Sequence, residues 1–143
     1  MHDPVYRILD ANFNRLREGL RVIEEYFRFI TQNEEAAVSL KQMRHQLADM
    51  EKSVSPAGAL LANRDTEADC FASATRPEEM NRGSVGDVLQ ANFKRAQEAC
   101  RVIEEYAKPV KAETASQKAK EIRFSLYALQ KILYINISSK KNF

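Results

Sequence analysis

Glycine and proline are scarce in this sequence, with four of each among 143 residues, and tryptophan is absent. Because glycine and proline mark turns and interrupt helices, their scarcity favours a few long helices over many short elements. No stretch shows the strict alternation of polar and apolar residues that a half-buried strand requires. The sequence therefore predicts an all-α protein.

Other absences narrow the class of protein further. No apolar run approaches the ~20 residues that span a bilayer, and the N-terminus lacks the apolar core of a signal peptide. The net charge is only +2, which gives no electrostatic case for binding nucleic acid or an anionic membrane. The two cysteines, Cys70 and Cys100, have no metal-ligand spacing, and there is no glycine-rich phosphate loop. We expect a cytoplasmic protein that binds neither nucleic acid nor membrane.

What the sequence does contain is an internal repeat. Residues 8–26 match residues 88–106 at an offset of 80, with 12 identities in 19 positions. A weaker match follows each copy, between residues 40–47 and 119–126, at an offset of 79, which predicts that one residue is lost in a loop. Because the match extends beyond one helix, it predicts a helical hairpin that occurs twice.

Apolar residues recur at three- and four-residue steps, the period of an amphipathic helix. They form three stripes, namely Leu9, Phe13, Leu16, Leu20, Ile23, Phe27 and Ile30, then Leu89, Phe93, Ala96, Cys100, Ile103 and Ala107, then Ile122, Leu126, Leu129, Ile132, Leu133 and Ile137. The stripes predict four long helices, arranged as two hairpins with an internal pseudo-two-fold in a single domain, residues 1–143. The repeat units cover about residues 6–53 and 85–137, and the partner helices are Glu34–Ser53 and Glu113–Ile137. A long loop of about residues 54–84 joins the units, with a short helical piece at Pro56–Ala62.

Polar residues are repeated as well, which a purely structural core would not require. The first copy keeps Asn12, Arg15, Glu18, Arg21, Glu24 and Glu25, and the second keeps Asn92, Arg95, Glu98, Arg101, Glu104 and Glu105. The planar fork of arginine matches phosphate oxygens and carboxylates suit magnesium, so one interpretation is a site for an anion and a metal. The alternatives are exposed ion pairs, worth about 0–1 kcal/mol each, and buried pairs that hold the two halves in register.

The loop adds a cluster formed by Arg64, Asp65, Thr66 and Asp69. An Arg-Asp-Thr cluster in an irregular segment is suited to a lid or a phosphate contact. The alternative is an Asx-type turn that carries surface charges.

The repeat and the loop together resemble one known family. The stretches "RILDANFNRLREGLRVIEEYFRF", "LKQMRHQL", "NRDTEAD" and "LQANFKRAQEACRVIEEYAK" follow the order and spacing of that family over about residues 6–134. It is the all-helical, non-ribokinase hydroxymethylpyrimidine phosphate kinase family, a module also fused N-terminally to cyanobacterial-type thiamine-phosphate synthases. The resemblance implies a standalone enzyme of thiamine biosynthesis. It would convert 4-amino-5-hydroxymethyl-2-methylpyrimidine phosphate and ATP into the pyrimidine pyrophosphate and ADP.

The family pattern falls on the repeated polar residues and on Asp10, Arg44, Arg64, Asp65, Thr66, Asp69 and Arg82. Phosphoryl transfer to an anionic acceptor depends mostly on positioning and charge neutralisation. We therefore expect catalytic contributions from Arg15, Glu18, Arg21, Arg95, Glu98 and Arg101. The expected substrate-binding residues are Asn12, Asn92, Arg44, Arg64, Asp65, Thr66 and Arg82, and the expected magnesium ligands are Glu18, Glu98 and Asp65.

The chain departs from the family pattern at two places. Cys70, Phe71 and Ala72 stand where the family continues with a small residue and Gly-Thr. Asp10 is replaced by Gln90 in the second copy, so the halves are not equivalent, and this favours one active site at their junction.

Two other functions stay open at this point. The chain would also suit a non-catalytic module that binds the pyrimidine phosphate for thiamine-phosphate synthase or regulates that enzyme. A purely structural four-helix domain, with its Arg–Glu pairs buried, is the third interpretation. Thiamine-phosphate synthase and a second copy of the chain stay open as partners.

Overall fold

The computed structural model describes residues 3–75 and 82–140, and from residue 136 onward only the helical backbone. Helix α1 spans Pro4–Glu25 and runs directly into a π-helical turn, Tyr26–Ile30. It is followed by α2 (Glu34–Ser53), the short α3 (Ala59–Ala62), α4 (Val85–Tyr106) and α5 (Glu113–Lys140). No strand occurs in the two described stretches, which confirms the all-α prediction.

Side chains that cap helices set several of the helix starts. Asp3 accepts the Val5 N–H of α1 at 2.9 Å, and Pro4 occupies the first helical position, where no N–H is needed. Asn33 accepts the Ala36 N–H of α2 at 3.1 Å, and Ser84 accepts the Asp87 N–H of α4 at the same distance. These caps explain why α2 begins at the predicted residue.

Helices α1 and α4 form the centre of the fold, and each packs its apolar stripe against the other. They approach so closely at Gly19 that a Cβ there would lie 3.3 Å from the Cβ of Ala96 and 3.4 Å from the carbonyl oxygen of Asn92. Helices α2 and α5 cover this pair from outside and also contact each other. The polar edges of α1 and α4 are therefore left beside the long loop.

The predicted apolar stripes are buried with two exceptions among the described side chains. Ile30 is 60% exposed because the π turn rotates it away from the core. Ile132 is 46% exposed because its neighbour Leu133, about 100° further around α5, takes the inward position. The prediction was wrong for these two residues, and the side chain of Ile137 lies outside the described residues.

The π turn takes up the residue by which the two repeat copies differ. Tyr26 and Tyr106 are 80 positions apart, but Gln32 and Lys111, the two residues with positive φ that follow, are 79 apart. The extra residue widens the first turn, in which the Thr31 N–H donates to the Tyr26 carbonyl at 3.2 Å. The difference in length therefore lies in the last turn of a helix and not in a loop.

None of the helices in the described part of the chain is long and apolar enough to cross a membrane.

Candidate functional site

The long loop is fastened to the N-terminal half of α1 by several hydrogen bonds. Asn63 is buried, accepts the Asp3 N–H at 3.0 Å and donates to the Ala59 carbonyl at 2.7 Å. Arg7 donates to the Asp65 carbonyl at 3.0 Å, and the Tyr6 hydroxyl donates to the Ser55 carbonyl at 2.8 Å. The first part of the loop is therefore held against α1 at a fixed place.

A bidentate ion pair between Asp10 and Arg64 completes this attachment. The guanidinium of Arg64 donates to the two oxygens of the buried Asp10 carboxylate at 2.7 and 2.8 Å. Hydrogen bonding to Asp10 and the negative charge of Asp10 raise the pKa of Arg64. At the matched position of α4, Gln90 accepts a hydrogen bond from Gln130 at 3.0 Å instead. Only the α1 half of the molecule therefore offers the loop a buried carboxylate at this position.

Two clefts open where the loop passes over the helices, and they meet at Asn12, Arg15 and Asp69. The first, which we name the loop cleft, measures about 490 Å³ and lies between α1 and residues 64–70. The second, which we name the junction cleft, measures about 690 Å³ and lies between α1, α4 and residues 69–74. Both volumes fall in the ~300–1,000 Å³ range of small-molecule sites.

The junction cleft presents one arginine from each copy of the repeat and a glutamate from the second copy. Arg15 reaches it from α1 and donates to Asn12 Oδ1 at 3.4 Å, a long hydrogen bond. Arg95 and Glu98 reach it from α4, and neither makes a hydrogen bond or ion pair with any residue that the structure describes. Arg15, which has no ion pair there either, and Arg95 are thus available to an anionic ligand.

The repeated charges near the C-terminal ends of α1 and α4 are already paired. Glu24 is buried and accepts two hydrogen bonds from Arg44, at 2.8 and 3.0 Å. At the matched positions, Glu104 accepts two from Arg123, at 2.6 and 3.0 Å. These pairs join α1 to α2 and α4 to α5, and the hydrogen bond from Arg123 to Glu104 raises the pKa of Arg123.

Arg21 and Arg101 belong to the same polar layer. Arg21 contacts Glu25 at 2.9 Å and Glu24 at 3.3 Å. Arg101 contacts Glu105 at 3.2 Å. The interpretation as ion pairs, which the sequence left open, is therefore confirmed for these positions.

The structure brings together only part of the predicted site. Asn12, Arg15, Arg64, Asp65, Thr66, Arg95 and Glu98 line one or both of the two clefts. Glu18 is exposed on α1 but is not among the side chains that line them, and Asn92 donates to the Val88 carbonyl of its own helix at 2.8 Å. Arg82 is half-buried just before the Ser84 cap of α4, and Arg21, Arg44 and Arg101 are paired as described.

Two aspartates of the loop also form turns. Asp65 Oδ1 accepts the Ala68 N–H at 3.1 Å, and Asp69 Oδ1 accepts the Phe71 N–H at 2.9 Å. The Asx-turn interpretation is thus confirmed, and these turns aim the same loop residues at the clefts. Among the residues described, no three His, Cys, Asp or Glu side chains come together as a metal-binding group.

One acidic and one aromatic side chain of the junction cleft, Asp69 and Phe71, are not among the predicted catalytic, substrate-binding or metal-binding residues. Asp69 lies at the meeting point of the clefts, and Phe71 is 76% exposed over the junction cleft. Asp69 was recognisable as part of the loop cluster, but nothing in the local sequence indicated that Phe71 would face α4. Only the path of the folded loop shows it.

The fold and the clefts define an all-helical protein that presents unpaired arginines to sites large enough for a small anionic ligand. The chain belongs to the ThiD2 family, whose model matches residues 7–132.

The curated relatives all extend well beyond this chain. This chain is 46% identical over 126 residues to a thiamine-phosphate synthase of Nostoc punctiforme, and the match covers 88% of this chain and 34% of the relative. It is 44% identical over 126 residues to one of Gloeobacter violaceus, covering 88% and 35%. With one of Thermosynechococcus vestitus the identity is 42% over 130 residues, covering 91% and 35%. The chain thus spans about a third of the length of these relatives, and no solved structure matches it.

Proposed function

We propose that this chain is an ATP-dependent kinase of thiamine biosynthesis, which converts 4-amino-5-hydroxymethyl-2-methylpyrimidine phosphate to its pyrophosphate. Membership of the ThiD2 family and the similarity to thiamine-phosphate synthases support the pathway. The paired sequence motifs that resemble the all-helical kinase family support the reaction. The proposal includes two hairpins related by a pseudo-two-fold, with one active site where they meet.

The observation that carries the proposal is that two ligand-sized clefts meet at Arg15 and Asp69. A kinase whose acceptor is itself a phosphate must hold two anionic ligands with their phosphates in contact. Adjoining clefts with a shared arginine provide this arrangement, because one guanidinium can contact oxygens of both phosphates. One cleft would hold the nucleotide and the other the pyrimidine phosphate.

The reaction is an in-line phosphoryl transfer. An oxygen of the acceptor phosphate attacks the γ-phosphorus of ATP, a new P–O–P bond forms, and the bond from the γ-phosphorus to the β–γ bridging oxygen breaks to release ADP. The acceptor oxygen is already ionised, so no general base is needed. The main obstacle is the repulsion between the two phosphates, and Arg15 and Arg95 would neutralise their charge.

Glu98 and Asp69 are the residues of the junction cleft that fit a magnesium ion. Magnesium in such sites is held by one or two carboxylates, and substrate phosphates and water complete its shell. Two carboxylates beside two arginines meet this requirement, and no larger cluster of protein ligands is needed. The ion would supply charge neutralisation on the nucleotide phosphates. Of the predicted ligands, Glu98 agrees with this assignment, Asp65 lines the adjoining cleft, and Glu18 lies outside both.

The proposal assigns secondary roles to the remaining predicted residues. Arg64 and Asp65 would fix the wall of the loop cleft, and Asn12 would orient Arg15 through its 3.4 Å hydrogen bond. Phe71 could stack on a heterocycle, since it is exposed and aromatic. Arg21, Arg44 and Arg101 do not line the loop cleft or the junction cleft, so the geometry gives no support to contact by these three with substrates bound there.

One other function has an observation in its favour. Because thiamine-phosphate synthases are similar to this chain over only about a third of their length, the chain could serve such an enzyme as a non-catalytic binding or regulatory module. That module would bind the pyrimidine phosphate in one of the two clefts without turning it over.

The test is to incubate the purified chain with ATP, magnesium and the pyrimidine phosphate and to follow products by chromatography. The kinase proposal predicts equal amounts of ADP and pyrimidine pyrophosphate, formed only when all three are present. Binding of the pyrimidine phosphate by folded protein without any ADP would overturn it and favour the binding module.

A further inference from the structure

A third cleft lies at the elbow between α1 and α2, apart from the two already described. This elbow cleft measures about 560 Å³ and has no lining residue in common with the loop and junction clefts. Its walls come from the last turns of α1, the π turn and the first three turns of α2. Its cationic lining residues are Arg21, Arg28, Lys41 and Arg44, and its carboxylates are Glu24 and Glu34.

The elbow cleft has more cationic side chains than carboxylates, and several of its N–H donors are not bound by a carboxylate. Glu24 binds Nε and Nη2 of Arg44, and Nη1 of Arg44 makes no hydrogen bond with the described residues. Arg21 pairs with Glu25 through Nε and with Glu24 through Nη1. Its Nη2 makes no hydrogen bond with the described residues either. Lys41 has no ion pair among the residues that the structure describes. These donors converge on one cleft from two helices.

The remaining walls of the elbow cleft are apolar. Ala37 is half-buried and Val38 is 46% exposed on α2, and the ring of Phe27 closes the base. Arg28 lies over the exposed ring of Phe29, with its guanidinium carbon 4.7 Å from the ring centroid. A ligand that satisfied both kinds of wall would carry a multiply charged anion on an apolar or aromatic body.

The corresponding elbow between α4 and α5 differs at the matched positions. There the counterpart of Arg28 is Lys108, whose ammonium is held by Glu105 at 3.2 Å. The connection is also one residue shorter and lacks the π turn. The first elbow therefore has both the extra residue and an arginine, Arg28, that makes no ion pair with any residue that the structure describes.

We propose that the elbow cleft is a second anion-binding site, which takes a phosphate monoester with an apolar or aromatic body. A phosphate fits better than a single carboxylate. It carries close to two negative charges at neutral pH, and its three terminal oxygens can accept from Arg21, Arg44 and Lys41 together. This inference does not depend on the proposed kinase activity.

The test uses phenyl phosphate as the probe, titrated into the full chain while backbone amide signals are followed by two-dimensional NMR. Saturable shifts are expected at residues 27–41, which surround the elbow cleft. Lys41→Gln should weaken the binding measured at these signals about tenfold, because one charge-assisted hydrogen bond is lost. Lys120→Gln, the matched lysine of the second hairpin, should leave the affinity within about twofold.

Three results would overturn the proposal. The first is the absence of saturable shifts at residues 27–41 at millimolar phenyl phosphate. The second is equal weakening by Lys41→Gln and Lys120→Gln, which would indicate only a general effect of charge. The third is equal binding of phenol, which has no phosphate and would show that the apolar wall alone accounts for the shifts.

Discussion

At the scale of single residues, burial separates side chains that the sequence presents as alike. Cys100 is fully buried on the inner face of α4, and Cys70 is exposed in the loop. Burial, with the nearby Glu104 carboxylate, raises the pKa of the Cys100 thiol to about 12. In an apolar core the neutral thiol is favoured because the thiolate would lose its hydration. Cys100 is therefore a packing residue.

The thiol of Cys100 should make stability fall at alkaline pH. The unfolded chain releases this proton near pH 9, but the folded chain keeps it until about pH 12, so rising pH favours the unfolded state. Between these pH values the wild type should lose stability relative to Cys100→Ala by up to ~1.4 kcal/mol per pH unit. Urea unfolding of both proteins at a series of pH values measures the difference. Parallel pH profiles for the two proteins would contradict the assignment.

The arginines show what the sequence could and could not predict at this scale. The repeat predicted one shared role for Arg15, Arg21, Arg95 and Arg101, but the structure pairs Arg21 and Arg101 with glutamates and places Arg15 and Arg95 at the junction cleft. Their different roles depend on whether a carboxylate from the same or a neighbouring helix reaches the guanidinium. Arg21 finds Glu25 four residues further on, which the sequence shows. The availability of Arg95 depends on the packing of three separate segments, which no local pattern reveals.

At the scale of helices, one buried carboxylate joins α1 to α2 and another joins α4 to α5. Glu24 and Glu104 lie at matched positions, and each is bound by an arginine from the next long helix. Two further matched positions also meet, as the ion pair of Arg17 with Glu51 between α1 and α2 and the hydrogen bond of Gln97 with Gln130 between α4 and α5. These polar contacts fix the register of helices whose apolar stripes alone would allow some sliding.

Removal of the carboxylate charge at Glu24 should therefore destabilise the fold. Glu24→Gln leaves Arg44 facing a neutral amide in a largely buried place, which we expect to cost about 2–4 kcal/mol. The neighbouring Glu25→Gln removes only a partly exposed ion pair and should cost less than about 1 kcal/mol. Chemical denaturation followed by circular dichroism measures both values. Equal small losses of unfolding free energy in the two variants would show that the Glu24–Arg44 pair does not hold α1 and α2 together.

The helix boundaries illustrate the reach and the limit of pattern analysis. Helix α2 spans the predicted residues because Asn33 caps its start and Pro56 follows three residues after its end. The π turn could not be predicted, although the change of offset from 80 to 79 showed that one residue had to be accommodated. A loop and a widened helical turn both accommodate one residue. Packing against α2 decides between them, and it determines that Phe29 and Ile30 face solvent.

At the scale of the whole molecule, the long loop attaches to α1 through an ion pair that α4 does not offer at the matched position. The Asp10–Arg64 pair and the hydrogen bonds of Asn63 hold the loop on the α1 half, where it covers one side of the two clefts. The matched Gln90 cannot pair with an arginine in the same way. The sequence difference between Asp10 and Gln90 predicted this asymmetry, but the clefts became visible only with the path of the loop.

Loss of the Asp10 charge should release the loop without unfolding the helices. In Asp10→Asn the Arg64 guanidinium loses its charged partner, so trypsin should cleave after Arg64 at least about tenfold faster, since cleavage requires local opening. Asp49→Asn, an exposed change on α2, is the matched control and should be cleaved as slowly as the wild type. Mass spectrometry of the early fragments identifies the site. Unchanged cleavage after Arg64 in Asp10→Asn would show that this pair does not restrain the loop.

The central claim is that phosphoryl transfer takes place where the clefts meet, between Arg15 and Arg95. The most direct measurement is kcat for ADP formation by Arg95→Gln beside Lys94→Gln, which removes an equal charge from the adjacent exposed position of α4. Our account predicts that Arg95→Gln lowers kcat at least about a hundredfold, as expected for a donor that neutralises transition-state charge. Lys94→Gln should keep kcat within about twofold, and both variants should unfold at the same denaturant concentration. A folded Arg95→Gln variant that turns over as fast as Lys94→Gln would contradict the claim.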